Sequence, residues 1–148
     1  MLEVYERLGP YCEENIDSRV VLSHDQRDRG RLRTTTSDGD EVRIFLDRGT
    51  PLLVGEYLRT QCGKHLLIEG AFEDVVGASC ANWNTFSRAC FHLGNRHVKV
   101  QIAERSLFIL PDHVLEEMLI MLGLTLHREQ RIFIPEAGAY SHASLLHH

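Results

Sequence analysis

Nine histidines fall in a chain of 148 residues, and three of them, His142, His147 and His148, lie within its last seven positions. Neutral imidazole is a borderline ligand suited to nickel, copper and zinc, so the placement of these side chains is the first chemistry to ask about. His97 sits in the segment HLGNRHV, after a helical pattern and before an alternating one. A turn from helix into strand presents its side chains at the rim. One imidazole supplies one bond where a divalent ion takes four to six, so His97 needs partners. A second copy of the chain related by a two-fold axis would supply His97 again, and histidine-bearing tails would add more. A tail carrying several imidazoles captures and releases an ion without building a rigid cage.

The other histidines weigh less. His92 lies within the same helical pattern, five residues before His97, and reads as a packing or capping side chain; His113, beside Asp112 at the start of a second helix, is a lesser metal candidate. A lone histidine is more often packed or solvated than a ligand. The four cysteines, Cys12, Cys62, Cys80 and Cys90, form no CxxC pair and read as reduced thiols. The chain has no GxSxG, HExxH, Walker loop or GxGxxG, and Glu116-Glu117 falls on a solvated helix face. The reading is therefore of a binding protein, not an enzyme.

Composition agrees with a folded chain: 43% of residues are hydrophobic and 25% charged, and the formal net charge is -5. That balance argues against nucleic acid as the main partner, because phosphate binding requires excess Lys and Arg. No run of about 18 apolar residues would span a bilayer, and MLEVYERLGP carries neither basic leader nor apolar core, which points to the cytoplasm. The basic run Arg27, Arg29, Arg31, Arg33 reads as a solvated strand edge that discourages aggregation, with an acidic partner or nucleic acid as the alternative.

The elements that must position these residues divide the chain into an α+β protein of two small domains. Residues 1–72 read as an all-β unit built from LEVYERLG, SRVVLS, RLRTTT, EVRIFL and KHLLIEGAF. Asp38-Gly39 supplies the turn of a hairpin in which Leu32, Val42 and Ile44 face a core while Arg31, Arg33, Glu41 and Arg43 face water. Residues 73–138 follow the order strand DVVGAS, helix WNTFSRACFHL, strands HVKVQI and SLFIL, helix DHVLEEMLIML, strand LTLHREQRIFI. That βαββαβ order is ferredoxin-like. Gly94 and Gly123 are read as the helix stops and Asp112 as an N-cap. Residues 139–148 form a histidine-bearing tail.

The strings CFHLGNRHVKVQI, SLFILPDHVLEEMLIMLGLTL and EAGAYSHA, with RLRTTTSDGDEVRIFLDRGTPLLVGEYL before them, resemble the UreE family of urease accessory proteins over nearly the whole chain. The resemblance implies a cytoplasmic homodimer, with pairing of dimers around metal, joined through ferredoxin-like domains. It implies a first domain of the kind found in peptide-binding chaperones. The implied cargo is Ni2+, with Cu2+ or Zn2+ also binding in vitro, held by His97 of both protomers and supplemented by His142, His147 and His148. The implied partners are other urease accessory proteins, including a GTPase, and the urease apoprotein complex, with no nucleic acid and no membrane. The family's peripheral His-x-His pair has Pro111 at its first position here, leaving His113 alone. A metal-independent adaptor that holds a peptide on the first domain is the rival reading.

Overall fold

The computed structural model describes residues 1–10, 12, 14–47 and 49–137. Within them the chain forms two compact units, the first covering Met1–Ala71 and the second beginning at Phe72.

The first unit is a six-stranded mixed sheet built from β1 (Leu2–Gly9), β2 (Ser18–Leu22), β3 (Arg31–Thr35), β4 (Glu41–Phe45), β5 (Tyr57–Thr60) and β6 (His65–Gly70), in the order β2-β6-β5-β1-β4-β3. Alternation decides its faces. Leu2 and Val4 pair in register with Val42 and Ile44, and these join Val20, Leu22, Leu58, Leu66 and Ile68 in one buried cluster. Leu32 packs against that cluster from β3, as the hairpin pattern predicts, while Arg31 and Arg33 stay exposed. Gly39 closes the hairpin with φ +93°, a conformation that side chains with a Cβ rarely adopt.

Two features of this unit differ from the sequence reading. A single helical turn, α1 (His24–Arg27), interrupts the strands. Ser23 starts it: its Oγ accepts from the Gln26 N–H at 3.2 Å and the Gln26 side chain accepts from the Ser23 N–H at 3.0 Å. The turn also buries Arg27, whose Nη1 donates to the Leu22 carbonyl at 2.8 Å, so the basic run is not one solvated stripe. Strand β5 is the second difference. Its four residues, YLRT, lie between Gly55 at φ +89° and the Gln61–Gly63 turn, too short a run to show periodicity.

The second unit contains β7 (Phe72–Ser79), α2 (Trp83–Asn95), β8 (Gln101–Ala103), β9 (Ser106–Ile109), α3 (His113–Leu122) and β10 (Thr125–Ile132). Its four strands pair antiparallel in the order β10-β7-β9-β8. Val76, Ala78, Leu107 and Ile109 meet Phe86, Ala89 and Leu93 of α2 and Leu119 of α3 in a second core. On α2 the buried apolar residues recur at spacings of three and four, whereas α3 buries Leu119 and also leaves Val114, Ile120 and Met121 exposed. Asp112 caps α3 by accepting from the Leu115 N–H at 3.1 Å, and Gly123 ends it in the left-handed region. Among the described residues no helix is long and apolar enough to cross a membrane.

Candidate metal centre

His97 is placed by the end of α2. The helix does not stop at Gly94 as the sequence suggests: it runs through Gly94 to Asn95, with Arg96 as C-cap. His97 is the next residue, in the left-handed region at φ 58°. Its N–H donates to the Gly94 carbonyl at 3.0 Å and the Val98 N–H donates to the Leu93 carbonyl at 3.2 Å. These two bonds are those of a Schellman motif, with histidine at the position where glycine is usual. The alternating run HVKVQI is consequently not a strand from its first residue, since four residues of turn and irregular chain precede β8.

Anchors on both sides hold this turn. Leu93 is fully buried, Val98 packs against the same core, and Val100 is buried two residues further on. Between them the His97 side chain is exposed. A non-glycine residue at positive φ costs about 1 kcal/mol and persists where its surroundings over-determine it. The result is an imidazole on a rigid mount, facing outward, with no carboxylate among the described residues ion-paired to it.

The end of the described chain lies near this turn. The Glu136 N–H donates to the Val100 carbonyl at 2.7 Å and the Ile134 N–H to Gln101 Oε1 at 3.0 Å, so the segment leaving β10 runs beside the chain that leaves His97. The expected ligands His142, His147 and His148 lie outside the described residues.

Three other described histidines have contacts of their own. His92 is exposed one turn back on α2, edge-on to Phe91 with ring centroids 5.4 Å apart. His113 opens α3, and its Nε2 lies 3.1 Å from the Glu117 carboxylate one turn on. His127 of β10 lies over Gly77, bonds Glu129 at 2.9 Å and meets the Phe108 ring edge-on. No three His, Cys, Asp or Glu side chains among the described residues converge on a common metal position. His97 therefore contributes a single ligand. Gly94, three residues too early, conceals the left-handed backbone at His97 in the sequence; the apolar residues on either side, Leu93 and Val98, were the available signal.

Comparison with known proteins places the whole chain. Residues 4–69 match the model of the UreE urease accessory protein N-terminal domain, and residues 73–148 match that of its C-terminal domain. A urease accessory protein UreE from Marinomonas sp. (strain MWYL1) is 56% identical over 99% of this chain and its own full length. That of Alteromonas mediterranea is 46% identical, covering 95% of this chain and 90% of the relative. That of Pseudomonas putida (strain GB-1) is 45% identical, covering 86% and 78%.

Proposed function

Because the chain belongs to the UreE family of urease accessory proteins, serving urease maturation and not catalysis, we propose that it carries Ni2+ and delivers it to the assembling urease metallocentre. The observation that carries this reading is His97, one exposed imidazole held at a strained, anchored turn. A single rigid ligand suits an ion shared across a two-fold axis, where a second protomer supplies the matching His97. The βαββαβ order and the β10-β7-β9-β8 sheet support a ferredoxin-like dimerisation domain over 73–138. The six-stranded first unit supports a β-rich domain of the peptide-binding-chaperone kind over 1–72.

Chain length supports tail participation. Glu136 is tied beside Val100, and His142 follows six residues later, a reach of roughly 20 Å when extended. His142, with His147 and His148, supplements the ion and makes it exchangeable, which suits transfer more than storage. His113 is a peripheral ligand at most, since Glu117 already engages it. Cu2+ and Zn2+ bind the same nitrogens in vitro. The work is done in the cytoplasm by a homodimer, pairing further around metal, that hands its cargo to the other accessory proteins, their GTPase and the urease apoprotein.

Calorimetry with nickel on the wild type and on His97→Ala tests this. The expected result is one tight site per two chains, lost in the variant. Tight binding that survives His97→Ala, at one ion per monomer and without dimerisation, overturns it.

A further inference from the structure

Strand β3 is one of the two outer strands of the six-stranded sheet. The Leu46 N–H bonds the Gly30 carbonyl at 2.7 Å and the Thr36 N–H bonds the Asp40 carbonyl at 2.8 Å, which makes the even-numbered residues of β3 the ones bonded to β4. Bonding alternates along an antiparallel pair, so the N–H and C=O groups of Arg31, Arg33 and Thr35 point away from the sheet. All three residues are exposed.

The same stretch is crowded with positive charge. Arg33 stands directly opposite Arg43, a like-charge pairing that destabilises a hairpin when nothing offsets it. Among the described residues Arg33 is ion-paired with Glu41, at 3.9 Å, and both are well exposed. Arg43 has its Nε buried with no hydrogen-bond partner among the described residues. Arg31, paired with Phe45, shares this face, and Tyr5 stacks on Phe45 at 5.2 Å. Between the arginines is a depression of about 270 Å³ lined by Arg31, Leu32, Arg33, Arg43, Ile44 and Phe45.

We infer that β3 is a docking strand for an extended acidic segment of a partner protein, which adds to the sheet through the outward amides of Arg31, Arg33 and Thr35 and places carboxylates against Arg31, Arg33 and Arg43. Strand addition supplies main-chain bonds, and side chains at every second residue of the guest supply selection. Guest acids two residues apart match the two-residue spacing of Arg31 and Arg33. Guanidinium forks take carboxylates in paired hydrogen bonds, and an incoming carboxylate relieves the Arg33–Arg43 opposition. A protein strand fits better than a nucleic acid, because Glu41 interrupts the basic face and the chain's net charge is -5.

The test uses the full chain with chelator present, so that nickel plays no part. The probes are a fluorescein-labelled (Glu-Val)4 peptide, the same peptide N-methylated at alternate residues, its Lys-Val counterpart and a dT12 oligonucleotide. Anisotropy is expected to show salt-sensitive binding of the acidic peptide alone, weakened at least tenfold in Arg31→Glu/Arg33→Glu and by less in Arg31→Lys/Arg33→Lys, which keeps the charge and loses the paired hydrogen bonds. Equal binding of the N-methylated peptide overturns strand addition. Binding undiminished by charge reversal, preference for dT12, or no binding of the acidic peptide overturns the assignment, and circular dichroism of each variant verifies that the sheet is intact.

Discussion

At position 97 an imidazole occupies a backbone conformation that glycine adopts freely, and the two bonds around it, to Gly94 and Leu93, would form equally well with glycine there. Stability and metal binding should therefore separate. His97→Gly is expected to leave stability unchanged or raise it by up to about 1 kcal/mol, while abolishing the proposed nickel site; urea denaturation beside nickel titration checks both, and a loss of stability would show that the imidazole packs against its surroundings. The cysteines offer a second contrast at this scale. The Thr60 hydroxyl beside its sulfur lowers the pKa of the exposed Cys62 thiol, whereas burial raises that of Cys90. A lowered pKa means more thiolate at a given pH. Iodoacetamide near neutral pH should modify Cys62 well before Cys90, with mass spectrometry of the peptides as the readout; the gap narrows as pH rises and both thiols ionise.

Among the elements, the pairing of β7 with β10 depends on a missing side chain. Gly77 lies opposite His127, and a Cβ at Gly77 would enter the imidazole ring. Because that ring is half exposed and can swing aside, Gly77→Ala should destabilise the protein by no more than about 1 kcal/mol, the low end of overpacking. His127→Ala in the same chain should recover most of that loss in a double-mutant cycle. Helix α3 gives a smaller effect. Asp112 accepts from the Leu115 N–H, and its own N–H donates to Glu116 at 3.0 Å, so Asp112→Ala should cost about 1 kcal/mol in chemical denaturation. The sequence showed this cap plainly, since Asp112 precedes a run of apolar residues at spacings of three and four. It did not show where α2 ends, because Gly94 is tolerated inside a last turn and the true stop is set by Leu93 and Val98 entering the core.

Across the whole molecule the apolar residues sort into separate cores, Leu58 in the first unit and Leu107 in the second, each fully buried. Leu58→Ala and Leu107→Ala should each cost about 2–5 kcal/mol. If His97 carries the site, folded Leu58→Ala should titrate with nickel as the wild type does, because α2 and its turn belong to the second core; a changed stoichiometry would implicate the first unit in binding metal. The first unit has its own polar anchor. Glu56, 3% exposed, takes both Arg7 Nε and Nη2, and Arg7 also donates to the Thr50 and Pro51 carbonyls at 2.8 and 3.0 Å. That arrangement ties β1 to the loop before β5, and nothing in the sequence links residues 49 positions apart.

The sequence by itself determined the elements whose signals are local. The Asp38-Gly39 hairpin follows from turn chemistry, the apolar stripes of both helices from spacing, and the HLGNRHV segment from its family resemblance. Tertiary structure alone decided what depends on distant neighbours: that His97 is left-handed and outward, that Arg27 is buried while Arg31 and Arg33 are exposed, that Gly77 makes room for His127, and that the segment after β10 returns to the chain leaving His97. The physical reason is one of range. Periodicity, caps and turns are written in a few consecutive residues, whereas the backbone strain at a site and the burial of a charge depend on which remote side chains the sheets bring against them.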